Sequence, residues 1–276
     1  MRTRKFLGVS HFPYLRLVEI GPNNLSIILE QTKSKDEFLK KIKNHFTRSR
    51  RRQIEYLTRK QSDSPYWYLF RRCMISGTLV KRIISQNAKN ESNENLNNSI
   101  TKLRPSTYKN EAMLYGIANE QTAINVFFNL FKTQHEYPEI KNSGLVIHSE
   151  YSYLGASPDS IFVCKCCKEP YLIEVKSPHR LKDTGIQAWP ILNDYLNNDG
   201  SLKFHHSYYH QIQFYLGLLK LTKCYFVIYA KNEVLFELIS FNPDFHQNQI
   251  NNCQEYYFNH YFPTVAGRTI PRNGVL

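Results

Sequence analysis

The hydrophobic pattern of this chain changes period at Gly144, and that change restricts the fold more than any other feature of the sequence. Before it, Gly116, Ile117, Glu120, Ile124, Phe127 and Phe131 recur at spacings of three and four, which predicts a helix over Glu111–Phe131 with one apolar stripe. After it come the short runs 145–148, 151–154, 160–164 and 171–176, bounded by polar turns in the manner of strands. The last two predict an antiparallel hairpin closed by the turn at 165–170. A second helix is expected over 207–220, with Ser207 as N-cap and Ile212, Tyr215, Leu216 and Leu219 facing inward. Strands over 224–230 and 234–241 follow, joined by the tight turn 231–233. A final helix starts at Asn242 as cap with Pro243 in its first turn, and is expected to end before Pro263.

The first 110 residues are less regular. Residues 1–52 read as a basic N-terminal extension ahead of a domain spanning 53–276, with a strand pair over 14–29 and a helix from Ser34 that ends in Arg48, Ser49, Arg50, Arg51 and Arg52. That cluster suits a DNA-contacting arm, a nuclear import signal or a solvated helix end, and the sequence leaves the three open. Over 64–84 a helical region interleaves Trp67, Leu69, Phe70 and Ile75 with Arg71, Arg72, Lys81 and Arg82, so that one side can pack while the other meets phosphates. Residues 86–110 show no period and predict a long mobile loop.

Charge narrows the partners. In 276 residues, 36 Lys and Arg stand against 23 Asp and Glu, a formal net charge of +13 that favours a polyanion such as nucleic acid. No apolar run approaches the roughly 18 to 20 residues that span a bilayer. The basic start is followed by His11, Pro13, Arg16 and Glu19, which is no secretory signal, so an intracellular protein is expected. Cys164, Cys166 and Cys167 are crowded together, yet two adjacent cysteines and one two residues away do not easily complete a tetrahedral zinc set without distant partners. They read as reduced thiols near a hairpin turn.

The chemistry concentrates in the first hairpin. Residues two apart on a strand share a face, so Glu174 and Lys176 project together while Val175 points into the core. Asp159 begins the partner strand, where it can lie opposite Glu174. Two carboxylates and one ammonium around a point suit phosphodiester hydrolysis: acidic oxygens hold Mg²⁺ or Mn²⁺, and the lysine steadies the attacking hydroxide. Hard oxygen donors favour Mg²⁺ over zinc. Glu120 adds a carboxylate on an apolar stripe, where a charge needs a cation, donors or a metal as partner. An E-x-K triplet or a P-D pair alone carries little weight. Their combination at hairpin distance, together with Glu120, makes the case for a metal site.

The stretches GIANEQTA around Glu120, GASPDS around Asp159, IEVKSP around Glu174 and YYHQIQ around Gln211 resemble, in order, the motifs of the YqaJ-like viral recombinases. This is the PD-(D/E)XK nuclease family that includes phage lambda exonuclease and the alkaline nucleases of insect DNA viruses. Upstream, IEYLTRKQSDSPYWYLFRRCMISGT resembles the helical beginning of the same family, and the likeness runs over residues 53–263. It implies a restriction-endonuclease-like α/β core, a mixed central sheet flanked by helices starting at Glu111, Ser207 and Pro243. It further implies a deoxyribonuclease using two Mg²⁺ or Mn²⁺ ions, degrading duplex DNA from 5′ to 3′ in recombination, repair or viral replication.

Carried over by motif position, Asp159 and Glu174 would be metal ligands, joined by the carbonyl of Val175, with Glu120 binding through or near a metal water. Lys176 would orient or deprotonate the attacking water. Gln211 would position that lysine or the water, Gln213 being the plainer alternative. A 5′-phosphate pocket would fall to Arg71, Thr78 and Ser157, with Arg180 and Lys182 competing for the last contact. Ser160 stands where the family usually has Gly, Ser177 replaces a common Cys, and Thr78 replaces a Ser while keeping its hydroxyl. The resemblance also implies a ring trimer around duplex DNA, a single-strand annealing partner, and a nuclear location if the source is eukaryotic or a nuclear-replicating virus. An endonuclease or an RNA-degrading enzyme on the same fold stays open, as does a non-catalytic DNA-binding scaffold, although the intact acidic set speaks against the scaffold.

Overall fold

In the computed structural model, which describes residues 24–101 and 110–270, the chain runs first through helices α1 (Leu25–Glu30), α2 (Lys35–His45), α3 (Arg48–Leu57) and α4 (Pro65–Arg71). A two-residue strand β1 (Ile75–Ser76) precedes α5 (Gly77–Asn87), α6 (Glu94–Thr101) and the 21-residue α7 (Glu111–Phe131). Strands β2 (Glu139–Lys141), β3 (Val146–Ile147), β4 (Leu154–Ala156), β5 (Ser160–Val163) and β6 (Tyr171–Lys176) follow. Then come α8 (Ser207–Leu219), β7 (Lys223–Ala230), β8 (Glu233–Ser240) and α9 (Pro243–Tyr256), which continues through a π-helical turn, Tyr257–Tyr261, into α10 (Phe262–Val265).

The main sheet has the order β2-β5-β6-β7-β8, and a smaller one has the order β1-β4-β3. The expected hairpin is present: β5 and β6 pair antiparallel with Ser160 opposite Ile173. Next to it, β6 and β7 run parallel, with Glu174 opposite Phe226. Parallel neighbours need a crossover, and α8 lies within it. Alternation along β6 sends Ile173 and Val175 to one face, where they pack with Ala123, Ile124 and Phe127 of α7. Leu172 goes to the other face, in one core with Ile212, Phe214 and Leu216 of α8. A helix on each face of a mixed sheet is the expected α/β layering, and it buries Leu172 through Val175 from both sides.

Several local expectations are revised. The strand pair over 14–29 lies partly outside the described residues, and its remainder is the helix α1, capped by Asn24 Oδ1 accepting from Ser26 N at 3.0 Å. A short apolar run such as LSIILE has no period that separates strand from helix, and the cap decides. The helix from Ser34 stops at Phe46, and Thr47 caps a new one, so the arginine cluster begins α3 instead of ending α2. The region 64–84 breaks at 72–76, where Cys73 adopts φ 61° and β1 pairs parallel with β4. The expected loop over 86–110 contains α6, which buries Leu96 and Ile100, while 102–109 lie outside the described residues. The cap of α8 is His206, whose side chain accepts from Tyr208 N, and not Ser207. The last helix does not stop before Pro263: it passes through the π-helical turn Tyr257–Tyr261 into α10, which carries Pro263 in its first turn. Among the described residues no helix is long and apolar enough to cross a membrane.

The described part of the N-terminal segment shares this core. Phe38 of α2 is fully buried, with ring centroids 5.4 Å from Phe262, 6.0 Å from Tyr257 and 6.5 Å from Tyr153. Removing a ring from such a cluster loses its contacts and leaves a cavity. Phe38→Ala is therefore expected to lower the free energy of unfolding by about 3–5 kcal/mol, measured by chemical denaturation. A loss under about 1 kcal/mol would mean that α2 is a loosely attached appendage.

Candidate active site

Strand β6 places a carboxylate where apolar side chains are the rule. Glu174 is 0% exposed and faces α8, two residues along from Leu172. Its Oε1 accepts from Lys176 Nζ at 2.6 Å and from Gln211 Nε2 at 2.6 Å. Its Oε2 is buried with no hydrogen-bond partner. Lys176 also donates to the Val175 carbonyl at 3.1 Å and lies 5.0 Å from the centre of the Tyr208 ring. One residue before β5, Asp159 Oδ2 accepts from Val175 N at 2.7 Å, which ties the acid to the strand it faces. Glu120 sits half-buried where α7 leaves the sheet, one turn ahead of the buried Ala123 and Ile124. The apolar stripe expected along the whole of α7 ends there, since Ile117 is 49% exposed.

Sharing one space, these groups shift one another's titration. Burial, and then the Asp159 charge, pushes the Glu174 carboxyl up to about 8. Glu120 is pushed up to about 7 by burial and by Asp159. Asp159 is itself raised by burial, against the opposing pull of Lys176 and the Val175 N–H. Burial alone would lower the Lys176 ammonium, but Glu174 and Asp159 outweigh it and hold its pKa above the usual lysine range. Three carboxylates around one ammonium leave an excess of negative charge in a region closed to water on one side. That excess, with the orphaned Glu174 Oε2 and the Val175 carbonyl, is a hard-oxygen donor set that fits Mg²⁺ or Mn²⁺.

Gln213 is committed elsewhere: its Nε2 donates to the Ser240 carbonyl at 2.8 Å and its Oε1 accepts from Asn242 N at 2.8 Å, fastening α8 to the start of α9. Of the residues expected around a terminal phosphate, Arg71 and Ser157 share a partner. The Arg71 guanidinium stacks 3.8 Å from the centre of the Trp67 ring, and Trp67 Nε1 donates to Ser157 Oγ at 3.0 Å. Arg71 Nε is buried without a partner, and among the described residues no carboxylate pairs with this cation. Thr78 is exposed at the start of α5, 3.2 Å from Ser76 Oγ. This helix start lies against α8, because a Cβ at Gly77 would come within 2.6 Å of Tyr215 and 3.2 Å of Gln211. Arg180 and Lys182 are engaged in ion pairs, with Asp194 at 2.7 Å and with Glu111 at 2.8 Å.

Two contributors were not singled out from the sequence. Tyr208 precedes Gln211 by one helical turn, so its place in YYHQIQ was a usable signal. Gln61 donates to the Pro158 carbonyl at 2.8 Å and steadies the turn before Asp159, and one Gln in a polar run carries no such signal.

The mixed sheet with its two covering helices has the restriction-endonuclease-like α/β fold. Within that class the chain belongs to the viral alkaline exonuclease family, whose family model matches residues 18–181, more than half of its 276 residues. The alkaline exonuclease of Laribacter hongkongensis superposes with a TM-score of 0.53 at 18% identity, over 72% of this chain and 93% of that one. The shutoff and exonuclease protein of Kaposi's sarcoma-associated herpesvirus superposes with a TM-score of 0.53 at 10% identity, over 79% of this chain and 74% of that one. A SOX–DNA complex superposes with a TM-score of 0.52 at 12% identity, over 79% of this chain and 72% of that one. Identities this low establish the fold alone. No curated protein sequence matches the chain.

The raised carboxyls have a stability consequence. A folded-state pKa above the ordinary 4.5 contributes stability that is complete below about pH 4.5 and is lost as pH rises through 7 to 8. The half-buried His148 and the buried His210, both lowered to about 4 by desolvation, act in the opposite sense below pH 6.5. A comparison of variants removes their part. In chelator, wild type should lose more of its urea midpoint between about pH 5 and 8 than Glu174→Gln does; equal losses would remove Glu174 as the source.

Proposed function

We propose that this protein is a divalent-metal-dependent exonuclease that hydrolyses duplex DNA from 5′ ends, with Asp159, Glu174, Glu120 and Lys176 at the reacting centre. The observation that carries this reading is the buried, partnerless Oε2 of Glu174 amid two further carboxylates. Asp159, Glu174 and the Val175 carbonyl would hold the ion or ions, with Glu120 beside them. A bound divalent cation supplies polarisation of the phosphate and acidification of water at neutral pH.

The protein's own groups do the rest. With its pKa held above the usual range, Lys176 stays protonated, which suits it to orient a water and neutralise developing phosphate charge more than to remove a proton. The amide of Gln211 keeps Glu174 Oε1 in place and leaves Oε2 turned to the site. Arg71 offers a stacked, half-buried guanidinium without an acid, and Ser157 a hydroxyl oriented by Trp67. Together they suit a terminal 5′-phosphate, which an arginine grips by paired charge-assisted hydrogen bonds. A net charge of +13 favours the polyanionic substrate. Of the similar solved structures, one is a complex with dAMP and another a complex with DNA.

With Mg²⁺, purified protein should degrade linear duplex DNA and spare covalently closed circles. Glu174→Ala and Lys176→Ala should each abolish turnover, as should chelator. Equal cleavage of closed circles would make the enzyme an endonuclease, and equal turnover of a matched RNA duplex would remove the preference for DNA. Loss of one charge-assisted pair to phosphate costs about 1.5–3 kcal/mol, or about tenfold and upward. Arg71→Ala is accordingly expected to raise KM for 5′-phosphorylated ends by about tenfold or more and to leave 5′-hydroxyl ends unchanged. An equal effect on both kinds of end would remove Arg71 from the phosphate pocket.

A further inference from the structure

The three crowded cysteines have the distant partner that their spacing alone lacked. After α7 the chain turns through Lys132–Gln134 and brings His135 onto the β5–β6 turn. His135 Nδ1 lies 3.3 Å from Cys166 Sγ, 3.5 Å from Cys164 Sγ and 3.5 Å from Cys167 Sγ, and the Cys164 and Cys166 sulfurs are 3.4 Å apart. All four ligand atoms lie within 4.8 Å of one another. With metal–sulfur bonds of about 2.3 Å and metal–nitrogen bonds of about 2.0 Å, a tetrahedral zinc site has edges of about 3.8 Å between sulfurs and about 3.6 Å from sulfur to nitrogen. The three sulfur–nitrogen distances and the Cys164–Cys166 distance lie within about 0.4 Å of those edges. We propose that His135, Cys164, Cys166 and Cys167 form a structural Cys₃His zinc site.

The surroundings support a thiolate site. The backbone N–H of Glu136 points to Cys166 Sγ at 3.4 Å, and that of Cys167 points to Cys164 Sγ at 3.3 Å. The imidazole is held against Phe131 and Phe162, at 5.6 and 5.0 Å between ring centroids. A further backbone bond, Lys165 N to the Glu136 carbonyl at 2.8 Å, ties the two ligand-bearing segments together. Soft thiolates and an imidazole select zinc over Mg²⁺, and sulfurs this close leave no room for an iron–sulfur core. Four protein ligands close the coordination shell, which is the mark of a structural ion.

This site is separate from the acidic centre. Five residues of extended chain part Cys164 from Asp159, on the order of 16 Å. Its effect on the fold is nevertheless direct. The ion would clamp the end of α7, which carries Glu120, to the hairpin that carries Asp159 and Glu174.

The test is elemental analysis of the full chain, expressed with zinc and exhaustively desalted in excess Mg²⁺. Wild type should hold about one zinc per chain, and Cys164→Ser combined with Cys166→Ser should hold under about a tenth of that. His135→Cys should keep its zinc, because four thiolates also close a tetrahedron. Glu174→Gln should keep it too, which sets this site apart from the acidic one. Cobalt substitution of wild type should give a sulfur-to-metal charge-transfer band. A wild-type chain without zinc and without that band, zinc lost in Glu174→Gln, or a disulfide between two of these cysteines in zinc-supplied protein would each overturn the proposal.

Discussion

The fold is arranged around a carboxylate buried in the middle of a sheet. Glu174, 0% exposed, has one oxygen shared by Lys176 and Gln211 and another with no partner. A lone charge at such depth is strongly unfavourable, and two donors, Lys176 of the same strand and Gln211 of α8, offset it. The parallel pairing of β6 with β7 demands a crossover, and the crossover helix α8 delivers Gln211 and Tyr208 to the face that Glu174 occupies. On the opposite face α7 covers Ile173 and Val175, and its exposed end carries Glu120 to the rim. Even the hairpin serves this point, since the Val175 N–H holds Asp159 in register.

Charge balance around Glu174 connects stability to chemistry. Burial raises the pKa of all three acids, and the Asp159 charge raises those of Glu174 and Glu120 further, so without a cation the site holds protons more tightly than ordinary carboxylates do. Any cation that enters must displace those protons, so its affinity grows as pH rises.

Much of the site was legible in the residues. The two-residue period along β6 put Glu174 and Lys176 on one face and Val175 on the other, because pleating leaves no alternative. Glu120 was marked by its place on the α7 stripe, although the stripe ends sooner than the spacing suggests, with Ile117 open to solvent. The N-terminal third was not legible in the same way. Leu25–Glu30 is too short for its period to choose between helix and strand, and the break at Cys73 follows from pairing β1 with β4, a partner about 80 residues away. Gln61 and Gln213 look alike in sequence, and only the backbone carbonyls they meet distinguish them.

The sequence by itself determined the long helix α7, the β5–β6 hairpin and the succession α8, β7, β8 and α9, together with the excess of positive charge and a set of candidate acidic residues, but it did not show β2 and it placed β4 over 151–154 instead of Leu154–Ala156. Those properties rest on local period and on composition, which need no knowledge of contacts. Only the tertiary structure decided that helix α2 belongs to the main core, that Arg71 lies over Trp67 beside Ser157, and that His135 meets three cysteines about 30 residues away. Long-range packing brings these groups together, and the spacing of residues along a chain carries no record of which distant segments will share a surface.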